Sequence, residues 1–345
     1  MSTARPILEV ENLKRYFDQS TSIVDTLLRR DREQIQAVDD VSFTLHENES
    51  IGIIGESGCG KSTLLETLIG LQAPTAGRIR YKGKDMAEFD KSELKSYRGD
   101  VQIIFQDPFN TLNPKMTIKE SLEEQLGIHD MGNKEERIHN TLKEVELNPP
   151  DQYLDRVPDQ LSGGELQRVA IARALIVEPK ILLADEPASM LDVSTQASVL
   201  TLLSELREKR DLALIYISHD LSTVSHVCDI INVMYLGRIV ERSETRDLLE
   251  SPKHPYSQAL IQAIPSHSLD HDRERTKIEG SPRDPIDMGE GCRFRDRCPE
   301  RMDICEKTPH LVESEGHEAA CHLYYDHEEY ESETDEVGQE VVGEV

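Results

Sequence analysis

At 345 residues the chain is long enough for one large domain with an extension, or for two domains of ordinary size. Aromatic residues are only 5% of it and Trp is absent, so its core must rest on Ile, Leu, Val and Ala, which suit a parallel sheet covered by helices. The 66 acidic residues against 39 Lys and Arg give a formal net charge of -27, which argues against a nucleic-acid partner and looks like a protein of a salt-rich cytosol.

The elements follow in chain order. Val41, Phe43 and Leu45 alternate as in a strand with one buried face. The apolar run Ile51 to Ile54 then ends in a glycine-rich turn, and Lys61 to Leu71 reads as a helix. Further short apolar runs at 101–105, 181–184, 213–217 and 230–235 alternate with helical stretches, the pattern of a mostly parallel α/β sheet. Between residues 107 and 160 the strand signal disappears, and Ile138, Leu142 and Val145 predict an amphipathic helix in an inserted helical segment. A helix opens at Ser162 and is expected to run until Pro179, and Val199, Leu202, Leu203 and Leu206 make a single apolar stripe on another. After about residue 265 the chain turns polar and Cys-bearing, with Pro265, Gly280, Pro282 and Pro285 marking a linker. The acidic stretch Asp326 to Val345 is expected to be disordered. The resulting division is a main body over 1–265, an extension over 266–325 and a tail over 326–345.

No stretch approaches 18 consecutive apolar residues, and Met1 to Val10 lacks a basic region followed by an apolar one, so a cytosolic chain is expected, seated at most on a membrane protein. In that reducing compartment the six cysteines are more fitted to be thiols or metal ligands than disulfides.

Three segments carry chemistry. Gly55-Glu56-Ser57-Gly58-Cys59-Gly60-Lys61-Ser62, continued by Thr63, lies between an expected strand and an expected helix and matches the phosphate-binding loop. Its glycines let successive N–H groups converge on phosphate oxygens, the helix start adds partial positive charge, Lys61 neutralises β- and γ-phosphates, and Ser62 would ligate Mg²⁺. Ile181 to Glu186 is an apolar strand ending in two carboxylates. Asp185 would stand near the metal, and Glu186 would orient or deprotonate water. Ser162-Gly163-Gly164-Glu165 opens a second helix whose start can face an anion, with Ser162 as its N-cap.

Taken in order, these segments resemble the nucleotide-binding domain of ABC ATPases over about residues 7 to 265. The resemblance implies an α/β P-loop fold with an antiparallel β subdomain and a helical subdomain. It implies that Gln106 is the glutamine-loop residue touching Mg²⁺ and the attacking water, that Ser189 to Asp192 form the D-loop, and that His219 is the switch histidine contacting the γ-phosphate. Adenine would stack on an aromatic ring upstream of the loop, where Tyr16 and Phe17 stand side by side and Phe17 is preferred. The chain departs from the family in Glu165, where Gln is usual, and in Met190, where a smaller residue is commoner. Each motif occurs once and the family's signature faces a partner's nucleotide, so Ser162, Gly163, Gly164 and Glu165 would act in trans on a second ATPase subunit.

Cys292, Cys298, Cys305 and Cys321 cluster in the extension, and four thiols so spaced suggest zinc or an iron–sulfur cluster. Gly291 to Phe294, Arg297 to Pro299 and Ala320 to His322 resemble the C-terminal extension of oligopeptide and dipeptide importer ATPases, as do Lys253 to Tyr256 and Asn113 to Met116. That resemblance implies a 4Fe–4S cluster on the four cysteines, two transmembrane permease subunits as partners, an extracellular solute-binding protein acting indirectly, and a place at the cytoplasmic face of the membrane. The rival expectation is a soluble ABC ATPase working on ribosomes or iron–sulfur assembly, against which the single motif set and the importer-like extension both stand.

Overall fold

The computed structural model describes residues 5–18, 33–263, 278, 280–281, 283–314 and 316–325. The expected acidic tail and the linker prolines Pro265 and Pro282 lie outside the described residues. An antiparallel sheet is built from β1 (Pro6–Asp18), β2 (Gln34–His46), β4 (Ala76–Tyr81) and β5 (Lys84–Asp85), in the order β2-β1-β4-β5. The second sheet has β3 (Ser50–Ile54) between β8 (Ala213–Ser218) and β9 (Ile230–Tyr235), and continues through β7 (Ile181–Asp185) to β6 (Val101–Ile104). These five strands are parallel, and β10 (Arg238–Glu244) joins β9 antiparallel.

The apolar runs of the central strands are continuous because both sheet faces are covered. Ile181 and Leu183 of β7, with Ile215 and Ile217 of β8, face a core shared with the antiparallel sheet and helix α1 (Lys61–Leu68). Their neighbours Leu182, Ala184, Leu214 and Tyr216 face the opposite core, under the helices. Gly52 of β3 is there for packing: a Cβ on it would lie 2.1 Å from Val224 Cγ1, so any larger residue would push away helix α8 (Leu221–Val227).

Between β6 and β7 the described residues hold α3 (Ile118–Ile128), α4 (Lys134–Glu144), α5 (Asp151–Leu154) and α6 (Gly163–Leu175), with no strand among them; α2 (Lys91–Asp100) precedes β6. Ile138, Leu142 and Val145 are buried as the pattern requires. Helix α6 stops at Leu175, short of Pro179, and α1 stops at Leu68, leaving Leu71 exposed. Helix α7 (Val193–Arg210) buries Val199, Leu202, Leu203 and Leu206 in the core, and cutting one of these leucines to Ala costs about 2–5 kcal/mol.

Helices α9 (Thr245–Glu250) and α10 (Pro255–Gln262) follow β10. The extension then adds β11 (Val312–Ser314) and β12 (His317–Ala319) to the sheet edge, β12 pairing with β10, which no periodicity in the sequence announces. The fully buried Glu241 of β10 is satisfied by the backbone N–H groups of Lys253 and His254 at 2.7 and 2.8 Å. Among the described residues no helix is long and apolar enough to cross a membrane.

Candidate functional site: a nucleotide cleft and a second recess

The phosphate-loop residues leave the C-terminal end of β3 and turn into α1. Gly60 takes φ 104 at the helix start, and a Cβ there would meet Ala37 O at 1.9 Å, so only glycine fits. No side chain caps α1 and its first turn carries no acid, which leaves its N–H groups for an external anion. Lys61 is buried, its Nζ donating to the carbonyls of Gly55 at 2.7 Å and Glu56 at 3.0 Å across the loop.

A cleft of about 860 Å³ opens over this loop, lined by Glu56, Ser57, Gly58, Gly60, Lys61, Ser62 and Thr63, and also by Phe17, Gln106, Asp185, Glu186 and His219. Gly55 and Cys59 stand behind it; the Cys59 side chain is buried and Gly55 packs on the backbone of Met234. Of the two aromatic candidates Phe17 lines the cleft, with the Arg15 guanidinium 4.4 Å from its ring centroid, whereas the Tyr16 hydroxyl is turned to Asp39. Ile35, Ala37, Asp284 and Pro285 complete the wall beside Phe17. Pro285 accepts a hydrogen bond from Gln36 N at 2.8 Å, which brings the extension against β2.

Asp185 ends β7 half-buried; burial and then the neighbouring Glu186 charge hold its carboxyl above the usual carboxylate range, while the Ser62 hydroxyl and Lys61 partly offset this. Such a carboxylate gains most from a cation placed beside it. Glu186 has φ 45, an unusual backbone state for a residue with a side chain, and its N–H is fixed to Ile217 O at 2.9 Å. Both its carboxylate oxygens are engaged: Gln106 Nε2 donates to one at 3.1 Å and His219 Nδ1 meets the other at 2.8 Å. Two residues, Gln106 and His219, therefore converge on the Glu186 carboxylate at the cleft.

Ser162, Gly163, Gly164 and Glu165 lie in a different recess, of about 470 Å³, together with Met190, Leu191 and Asp192 and sharing no lining residue with the first. Ser162 caps α6, and its N–H and hydroxyl donate to Glu165 Oε2 at 2.9 and 2.8 Å. Those hydrogen bonds hold the Glu165 carboxyl below its ordinary range. A Cβ on Gly164 would sit 2.6 Å from Thr195 Cγ2, so this glycine also sets how closely α6 and α7 pack.

The expectation of an iron–sulfur cluster or zinc on Cys292, Cys298, Cys305 and Cys321 is corrected. Among the described residues no group of three or more His, Cys, Asp or Glu is arranged to hold a metal ion, and all four cysteines are free thiols. Cys305 is buried, and Cys292 and Cys298 pack against the apolar core. Burial pushes the Cys292 thiol up to about 11 and the Cys321 thiol to about 12. The extension is held instead by β11 and β12 and by Phe294, which is buried against Tyr235 and Tyr256.

A profile of the ABC transporter family matches residues 38–189, and one of the oligopeptide/dipeptide transporter C-terminal region matches residues 240–305. The chain is 42% identical over 326 residues to the oligopeptide transport ATP-binding protein AppF of Bacillus subtilis, covering 92% of this chain and 97% of that one. It belongs to the ABC transporter ATP-binding proteins of the oligopeptide/dipeptide type. The dipeptide transport ATP-binding protein DppF of Escherichia coli is 38% identical over 319 residues, with 92% of this chain and 94% of that one covered. Among solved structures, the dimeric bacterial ABC transporter cassette MJ0796 matches with TM-score 0.60 and 29% identity, over 69% of this chain and 99% of that one. This ABC subunit is an ATPase, and its fold is that of the family.

The sequence reading did not place Asp284 or Pro285 at the cleft, the latter being read as part of a linker, and it assigned no role to Arg293 and Arg297, which tie the extension to the body. Both arginines stand beside cysteines of the extension, Arg293 after Cys292 and Arg297 before Cys298.

Proposed function

We propose that this ATPase powers import of di- or oligopeptides, or related small solutes, across a cell membrane. In this reading it sits on the cytoplasmic face, docked to two transmembrane permease subunits, beside a second ABC ATPase that is identical or homologous, while an extracellular solute-binding protein delivers the solute. The observation that carries the proposal is Glu186 gripped by Gln106 and His219 in the phosphate-loop cleft of a chain with a transporter-type C-terminal region. Phe109, 53% exposed just beyond Gln106, offers an apolar contact for a permease.

Adenine stacks on Phe17, and the backbone from Gly55 to Gly60 curves around the phosphates with Lys61, Ser62 and Thr63. Ser62, Asp185 and Gln106 present oxygen donors, a set that fits Mg²⁺; bound there, Mg²⁺ would neutralise charge on the transferring phosphoryl group. Glu186 orients the attacking water and accepts its proton. His219 leaves Glu186 to contact the γ-phosphate, and Gln106 follows the same exchange. Because the two recesses share no residue, the Ser162-Gly163-Gly164-Glu165 helix end serves the nucleotide of the neighbouring ATPase. Closure of two subunits then completes both sites, which couples ATP binding to movement.

The test is recovery of the chain from gently solubilised native membranes, with its companions identified by mass spectrometry. Two polytopic proteins and a second ATPase are expected. Recovery only from the soluble fraction, with ribosomes or cluster-assembly proteins, would overturn the transport assignment.

A further inference from the structure

Glu56 is an awkward residue for its place. It is the first residue after Gly55 in a loop that must receive a polyphosphate, its side chain borders the cleft, and a carboxylate there repels each phosphate oxygen. The cation that answers it comes from 241 residues downstream: Arg297 Nη1 donates to Glu56 Oε2 at 2.7 Å and Nη2 to Oε1 at 3.0 Å, a two-pronged pair. The Arg297 side chain is only 10% exposed, and its Nη1 also donates to the Tyr235 hydroxyl at 3.2 Å. The same loop residue is held by its backbone, since Glu56 N–H donates to the Tyr256 hydroxyl at 2.9 Å and Glu56 O accepts from Lys61. Tyr235, Tyr256 and Phe294 pack ring against ring, with centroids 4.7 to 5.4 Å apart, and form the platform on which Arg297 and the loop meet.

We propose that Arg297 of the C-terminal extension is a positioning residue of the phosphate loop, neutralising and pinning Glu56 so that the loop accepts the phosphates of ATP. This rests on the nucleotide reading of the cleft and extends it: the extension regulates ATP affinity from outside the ATPase body. Arg297 does not line the cleft and acts on it only through Glu56. Its effect belongs to binding and not to the chemical step, because Glu186, Gln106 and His219 make no hydrogen bond to it.

Fluorescent ATP-analogue titration and ATPase kinetics on the full chain test this. Arg297→Gln leaves an uncompensated carboxylate and should raise Kd and KM about tenfold while kcat stays within about twofold. Glu56→Gln, with Arg297 intact, leaves a surplus cation and should tighten ATP about threefold. The double variant is neutral again and should return to within about threefold of the parent. Should Arg297→Gln not fold, Arg297→Lys reads out the same contact: charge is kept, the fork is lost, and Kd should rise by about threefold and fall again when Glu56→Gln is added. An unchanged Kd in the Arg297 variants, or a double variant as weak as Arg297→Gln, would overturn the proposal. Failure of the unmodified chain itself to bind the analogue would instead overturn the nucleotide reading.

Discussion

Helices α1 and α6 both carry glycines at their starts, Gly60 before α1 and Gly163 and Gly164 in the first turn of α6, yet their ends are finished in opposite ways. Helix α1 starts on Gly60 with no side-chain cap and no acid in its first turn, and Lys61 stands at its mouth. Among the described residues no side chain caps it and no acid stands in its first turn, so an anion is the natural completion of its partial positive charge. Helix α6 is satisfied from inside: Ser162 caps it and Glu165 closes a reciprocal box, placing a carboxylate in the first turn. The first end is open to an anion as it stands; in the proposed function the second opens to one only when a phosphate on another subunit draws Ser162 away from Glu165. On the proposed reading one chain carries half of each of two sites, and its activity then depends on closure.

The largest expected effect tests the α1 side. Glu186→Gln removes the carboxylate base that both Gln106 and His219 hold, leaving one acceptor oxygen and no charge, and should lower kcat by about 10²–10³-fold. ATP still binds at Lys61, so ATP-bound dimers should accumulate and be seen by size-exclusion chromatography. Turnover near the parent's rate would remove Glu186 from its role. On the α6 side, Ser162→Ala should cost about 10–10²-fold in kcat, with ATP affinity of the isolated chain unchanged because Ser162 does not line the nucleotide cleft. Equal losses of affinity and turnover would mean that the two recesses are not separate.

How much of this was legible in the sequence depended on whether a feature was local. The phosphate loop, the β7 carboxylates and the α6 cap are each written in fewer than ten consecutive residues, because turn geometry and strand burial are dictated by neighbours. The central strands were equally clear, since burial on both faces leaves unbroken apolar runs such as Ile181 to Ala184. What did not show was long-range. Strands β11 and β12 are three residues each, too short for a period, and the Arg297–Glu56 and Arg293–Asp39 pairs join residues more than 200 positions apart. The cysteines misled for the converse reason. Their spacing suggested ligands, but in the fold Cys292 and Cys298 pack on apolar core, and among the described residues the four form no metal-holding group.

A third helix end sharpens the comparison, because its cap can be switched off by protons. Helix α10 begins after His254, whose Nδ1 accepts from Tyr256 N–H at 3.1 Å, so the cap works only with the imidazole neutral. Burial pushes the His254 pKa down to about 3. The folded state therefore binds fewer protons than the unfolded one between that value and about 6.5. Stability is fully present above about pH 6.5 and should fall by about 1.4 kcal/mol per pH unit below it. Asn caps helices without titrating, so His254→Asn should flatten the decline of Tm between pH 7 and 5. An identical pH slope in the two proteins would show that another group drives it.

The smallest effect concerns Glu165, and it bears most directly on why α6 is self-capped. With the carboxylate in place, the Ser162 hydroxyl must give up a charge-assisted hydrogen bond at 2.8 Å before it can face a phosphate, and the phosphate must approach a like charge. Gln at this position keeps the reciprocal box but removes the charge, so both penalties shrink together. Glu165→Gln should then raise ATPase turnover about two- to threefold at subsaturating protein, where closure of two subunits limits the rate, and leave ATP affinity of the single chain as it was. The carboxylate would in that case act as a brake on closure, holding α6 in its satisfied state until ATP occupies the opposite subunit. Unaltered or lower turnover in Glu165→Gln would show that the capping box is released without cost, and that the two helix ends differ in structure but not in what limits the cycle.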